Sequence, residues 1–164
     1  MSISIKQTIG LCALVLAVAL ATGGCKSAPK PVPWNVSITK TTPASIEVDL
    51  VGVTESEKHF IDGLSMDSYW PNSPVRRDAE KNMMTKILKT NEPWLITRDD
   101  PHWEKWTKRG VTTLYVVANL PVPNGLWKVA LPLDKKSWDA KNHTLEIEIQ
   151  NTLIRVNTPE NARN

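Results

Sequence analysis

Between positions 143 and 156 the chain reads HTLEIEIQNTLIRV, with Leu145, Ile147 and Ile149 alternating with Glu146 and Glu148. A period of two places every second side chain on one face of an extended strand, so this stretch is confined to a β-strand with one buried face. Gln150 and Asn151 then read as the turn into a closing strand over 152–158. The same alternation recurs elsewhere. In 34–40 (WNVSITK), Trp34, Val36 and Ile38 oppose Asn35, Ser37 and Thr39; in 45–53 (SIEVDLVGV), Ile46, Val48 and Leu50 oppose Glu47 and Asp49. Residues 111–119 (VTTLYVVAN) and 126–133 (LWKVALPL) are two more β-branched runs, and Asn124-Gly125 between them is a strong hairpin signal because both residues tolerate positive φ. The link over 41–44 (TTPA) is short enough for a hairpin between the first two strands.

The middle of the chain is patterned differently. Residues 55–61 suit a turn or two of helix, 67–70 (DSYW) are compact, and 74–81 read as helix with Pro74 at the first helical position. Residues 84–97 hold a further strand or two, broken at Pro93. The stretch 99–110 (DDPHWEKWTKRG) has helix punctuation at both ends: an Asp cap, Pro101, basic residues in the last turn and Gly110 beyond it. Antiparallel strands with short turns and a helical middle predict an all-β fold, a β-sandwich, with a helical insertion after the second strand, spanning about 55–110.

The N-terminus predicts export. Lys6 precedes an apolar run over 9–21, whose 13 residues fall short of the roughly 20 that a helix needs to span the bilayer. A short apolar core behind a positive charge reads as a secretory signal over residues 1–24. Thr22, Gly23, Gly24 and Cys25 resemble the bacterial lipobox, in which small residues precede a cysteine that is acylated before cleavage; Thr22 departs from the usual aliphatic residue. Cleavage after Ala21 or Gly24 with a free thiol is the alternative. Cys12 lies in the discarded segment, so Cys25 has no disulfide partner and acylation gives it a use. Acyl chains contribute roughly 0.8 kcal/mol per buried methylene, enough for several together to anchor the protein in a membrane. Residues 25–33 form a proline-bearing tether, 34–158 the folded domain and 159–164 a tail. Lys26, where an Asp would favour inner-membrane retention in enterobacterial lipoproteins, implies the outer membrane, facing the periplasm.

Composition bounds the partners. The formal charge of +3 falls to +2 without Lys6, and the basic residues are dispersed, which gives no case for nucleic acid. Catalytic constellations are thin. Asp99, Asp100 and His102 suggest metal ligands, but adjacent carboxylates at a helix start are explained by capping and the helix dipole. His59 and His143 stand without sequence partners, and no hydrolase, zinc-protease or phosphate-loop motif is present. No catalysis, metal or cofactor is expected. Seven of the ten aromatic residues are tryptophan. Trp70, Trp94, Trp103 and Trp106 fall in the irregular middle, where exposed indoles would stack glycan or peptidoglycan sugars, or anchor a protein. Core filling between sheet and helix is the favoured role, with Trp103 or Trp106 the expected exception.

Taken in order, these segments resemble the TssJ lipoproteins of type VI secretion systems. Residues 34–40 and 45–53 look like that family's first two strands, and FIDGLSMDSYW, beginning at Phe60, is similar to the insertion that follows. TLYVVANLPVPNGLWKVALPLD is similar to its strand–turn–strand, and HTLEIEIQNTLIRV to its closing hairpin. The resemblance implies a transthyretin-like sandwich and a lipid-anchored adaptor that grips the periplasmic domain of the inner-membrane protein TssM. In that family a long loop after the first strand contributes to the TssM contact; only residues 41–44 remain here, and 97–110 is fuller than the family pattern. The resemblance thus implicates Thr41, Thr42 and Pro43, with Trp70, Trp103 and Trp106 of the insertion as the other place where the contact, or a different partner, is accommodated.

Overall fold

A computed structural model describes residues 31–70, 73–89, 92–122, 125–140 and 143–161. The expected signal peptide, Cys25 with the first part of the tether, and the turn residue Asn124 lie outside the described residues. Among the described residues, eight strands and four α-helices follow one another as β1 (Asn35–Lys40), β2 (Ile46–Val53), α1 (Glu55–Asp62), α2 (Met66–Tyr69), α3 (Pro74–Ala79), β3 (Met83–Leu88), β4 (Trp94–Ile96), α4 (Pro101–Arg109), β5 (Thr113–Ala118), β6 (Lys128–Pro132), β7 (Thr144–Ile149) and β8 (Ile154–Val156). They build two four-stranded sheets with the orders β4-β1-β7-β8 and β3-β2-β5-β6. The fold is a β-sandwich carrying helices, as the alternation predicts.

The β5–β6 and β7–β8 hairpins form as read, with Val116 opposite Val129 and Ile147 opposite Val156. The hairpin expected between β1 and β2 does not form. These strands lie in different sheets, and β1 instead pairs in parallel with β7, Asn35 opposite Thr144 through Lys40 opposite Ile149. The reason is burial. Val36 and Ile38 must face Ile46, Val48 and Leu50 across the interior, so residues 41–44 cross from one sheet to the other at the end of the sandwich. Lys40 Nζ donates to the Thr42 carbonyl at 2.8 Å, and the Thr42 hydroxyl donates to the Asn151 side-chain oxygen, which fixes that crossing.

The alternation in β2 predicts one solvated face, yet Asp49, Val51 and Val53 are all buried. Helices α1 to α3 cover the outer face of this sheet and turn β2 into a strand buried on both sides. Asp49, fully buried, accepts from Tyr69 Oη at 2.9 Å, Arg76 Nε at 2.8 Å and Thr85 Oγ1 at 2.6 Å. Arg76 also bonds Glu47 at 2.5 Å and lies 4.2 Å over the Trp70 ring. Burial works to lower the Arg76 pKa, but the bonds from Asp49 and Glu47 outweigh it and hold the guanidinium above its ordinary value. Burial, reinforced by the Asp49 charge, raises the Tyr69 phenol, so it stays a donor. Farther along, Tyr115 Oη donates to Asp62 at 2.5 Å, and Lys128 Nζ caps the end of α1 through the carbonyls of Ile61, Asp62 and Leu64 at 2.6 to 2.7 Å.

Helix α4 begins as its punctuation predicts. Asp100 caps it, accepting from the His102 N–H at 2.9 Å; Pro101 opens it; Gly110 closes it at φ 74°. Its buried face carries Trp106, whose ring lies against Gly52 and whose Nε1 donates to the Asn82 carbonyl at 2.8 Å. The sandwich has one open flank, where β3 and β4 are edge strands, and Lys86 of β3 reaches to 6.0 Å from the Trp94 ring there. A charged side chain set across an edge opposes the addition of another strand. On the opposite flank, Leu126 and Leu153 pair across the two sheets.

Two substitutions test this packing. A Cβ added at Gly52 would lie 2.6 Å from the Trp106 ring, so Gly52→Ala should cost about 1–3 kcal/mol in urea unfolding. Asp49→Ala leaves the Arg76 guanidinium without its buried acceptor and should cost about 3 kcal/mol by the same measurement.

Candidate partner-binding surface

The sandwich has two distinct ends. At one, the chain enters from the tether: Pro31 pairs with Asp134, Val32 N–H donates to Leu133 O at 2.9 Å, Leu133 to Thr112 O at 2.9 Å, and Thr112 to Val53 O at 3.0 Å. The C-terminal residues leave at the same end, where Asn161 N–H bonds Ser137 O at 3.0 Å. The opposite, distal end carries the crossing 41–44, the β7–β8 turn 150–153, the described parts of the β5–β6 connection (119–122 and 125–127) and those of the β3–β4 connection, with exposed Lys89 and Glu92.

The first three of these segments are knitted together. Thr41 N–H donates to Ile149 O at 3.0 Å, Leu126 N–H to Thr152 O at 3.0 Å, and Ile154 N–H to Leu126 O at 2.8 Å. Gly125 lies so close to Thr152 that a Cβ would fall 1.7 Å from its carbonyl oxygen. Of the residues implicated by sequence, Thr41 and Pro43 are exposed on this end, whereas Thr42 is only 2% exposed and serves the internal bonds. Sequence reading missed Val122 and Leu126 as surface groups. They are 43% and 55% exposed and belong to a connection recognised only for its turn.

The tryptophans are placed differently from the expected exception. All seven are buried, including Trp70, Trp103 and Trp106. Trp103 and Trp106 meet edge to face at 5.0 Å between ring centres, and Trp103 Nε1 donates to the Thr97 carbonyl at 2.9 Å. The expectation that Trp103 or Trp106 is exposed is therefore corrected: the hydrophobic gain of covering indole under α4 decides their position. Trp70 likewise lies beneath Arg76. None of these rings offers a face to a sugar, and none reaches the surface to anchor a protein.

A cavity of about 280 Å³ lies between α1, α3 and β2, lined by Val51, Val53, Ile61, Val75 and Ala79, with the largely exposed Phe60 beside it. Glu57 and Arg109, which also line it, are paired with each other at 2.7 Å. His102 Nδ1 sits 2.9 Å from Asp100, the capping residue, in line with the capping reading of that cluster. His59 stacks on Phe60 and His143 lies 5.8 Å from the Trp34 ring. Among the described residues no group of three or more His, Cys, Asp or Glu side chains is placed to hold a metal ion.

No protein-family model and no curated protein matches this sequence. Solved structures share its fold. A structure of the T6SS protein TssM C-terminal domain (869-1107) from EAEC aligns at 14% identity and TM-score 0.52, covering 75% of this chain and 98% of that one. A structure of a type VI membrane complex aligns at 13% identity and TM-score 0.52, covering 79% and 98%. The T6SS lipoprotein TssJ1 from Pseudomonas aeruginosa aligns at 12% identity and TM-score 0.47, covering 80% and 98%.

Proposed function

We propose that this chain is a lipid-anchored component of a type VI secretion membrane complex, moored in the outer membrane through Cys25. In this reading it binds the periplasmic domain of a TssM-like inner-membrane protein and performs no chemistry itself. The observation that carries it is the polarity of the sandwich: the chain enters at one end, and interlocked connections stand at the other. The shared fold with structures of type VI secretion supports the assignment.

The geometry suits such a role. No helix among the described residues is long and apolar enough to cross a membrane; in this reading the lipid supplies the attachment. The six residues from Cys25 to Lys30 span about 20 Å at most when extended. A domain held that close to the bilayer by its tether end points its distal end into the periplasm. Bonds between the distal segments set that surface before any partner arrives, which limits the ordering cost of binding.

The anchor has a direct test. Cys25→Ser, expressed as the full chain in a bacterial host fed a labelled fatty acid, should lose the label and move from the membrane to the soluble periplasmic fraction. Retention of label by the variant would refute lipidation at Cys25.

A further inference from the structure

We infer that the hollow between α1, α3 and the end of β2 is a binding site for an aliphatic chain that ends in a cation, its methylenes lying on a valine floor and its charge at Asp78. The space itself is the first support. At about 280 Å³ it falls just below the roughly 300–1,000 Å³ of ordinary small-ligand pockets, a size that suits a short chain. Val51 and Val53, on the outer face of β2, form the floor, and Ile61, Val75 and Ala79 close the sides. Water over such walls finds few polar partners, and an apolar group displaces it favourably. The hollow exists because the helical layer covers the sheet without filling it: α1 contributes Ile61 as its buried side chain and α3 contributes none. Arg76, bonded to Asp49 and Glu47, holds α3 over the strand, so the space is set before anything enters it.

The second support is the balance of charge on the walls. Three ionic side chains line the hollow: Glu57, Asp78 and Arg109. Both Glu57 oxygens are engaged, Oε2 by the Thr54 N–H at 2.9 Å and Oε1 by Arg109 at 2.7 Å. Arg109 places a further donor on the Gly52 carbonyl at 3.2 Å. These two charges cancel. Asp78 is exposed and makes no hydrogen bond or ion pair with any described residue, so one carboxylate stands unneutralised at the mouth. A cationic head meets attraction there, whereas an anionic one meets repulsion and finds the guanidinium already taken.

The third is Phe60, the one phenylalanine of the chain, 65% exposed on the wall of this hollow. His59 packs against one side of the ring, and the exposed remainder can attract a cation within about 6 Å while extending the apolar wall outward. An aliphatic chain with a cationic end is either a free alkylammonium or a lysine side chain, whose stem is itself apolar.

The experiment uses the full chain in detergent micelles with isotope-labelled Val, Ile and Ala methyl groups. It is titrated with n-hexylammonium, n-hexanol and n-hexanoate, free probe being measured by dialysis. Methyl shifts at Val53, Ile61, Val75 and Ala79 should report affinities in the order ammonium, alcohol, carboxylate, with about fivefold between first and last. From butyl- to hexylammonium, affinity should rise about fourfold per methylene. Asp78→Asn should bring the three probes together without altering the alcohol, and Phe60→Ala should weaken the ammonium about threefold. Ala79→Leu, which places a side chain in the hollow, should abolish all binding; if that variant unfolds, Asp78→Asn and Phe60→Ala carry the comparison, since both side chains are exposed. Capped Nα-acetyl-lysine methylamide separates the sources: binding like that of butylammonium assigns the site to a lysine of another chain, and its exclusion assigns it to a free amine. Equal affinity for ammonium and carboxylate, shifts that persist in a folded Ala79→Leu chain, or no methyl shifts at millimolar probe overturns the inference. None of these results involves Cys25 or a membrane partner, so the proposed function stands or falls separately.

Discussion

Asp49 is a carboxylate with no exposed surface at the middle of β2, and the layer above that sheet is arranged around satisfying it. Tyr69, Arg76 and Thr85 come from α2, α3 and β3, three consecutive parts of the chain, and all converge on its two oxygens. Removing a carboxylate from water costs several kcal/mol unless such partners replace the lost hydration. The helices supply few buried side chains of their own: α1 contributes Ile61, α2 Tyr69 and α3 none. Their place on the sheet is therefore set in large part by directional polar bonds, added to an apolar core that runs on from between the sheets to Ile61, Tyr69 and Trp70.

That division explains what the sequence discloses. A hairpin is a local object, so HTLEIEIQNTLIRV discloses both its strands and its turn, and helix α4 announces its cap, proline and closing glycine. Sheet membership is not local. Nothing in TTPA distinguishes a turn within one sheet from a crossing between two, because the decision depends on which faces of β1 and β2 must meet in the interior. Glu47 and Asp49 read as a solvated face for a related reason: their partner Arg76 lies some thirty positions away, beyond the reach of periodicity. The tryptophans were legible as core fillers, and the exception granted to Trp103 and Trp106 fails because their spacing of three marks one face of α4 without saying which way it points.

The distal surface was half legible. Each connection is visible in the letters, but only the fold shows that segments so far apart in sequence share one end. The resemblance to TssJ directed attention to the connection after β1, which here is pinned and offers Thr41 and Pro43. The larger apolar groups stand on its neighbour.

The parallel pairing of β1 with β7 bears on how the chain is made as well as on what it binds. Asn35 meets Thr144 only after nearly everything between them has been synthesised. If the chain emerges N-terminus first, the β7 side of β1 must wait while the sheet around β2 emerges behind it, with only the three-residue β4 available as an earlier neighbour. Closing so long a loop is slow in folding. During that interval the apolar side chains of β1, Val36 and Ile38, lack the longer of the strand's two neighbours. Such a chain has reason to meet a chaperone before β1 finds β7.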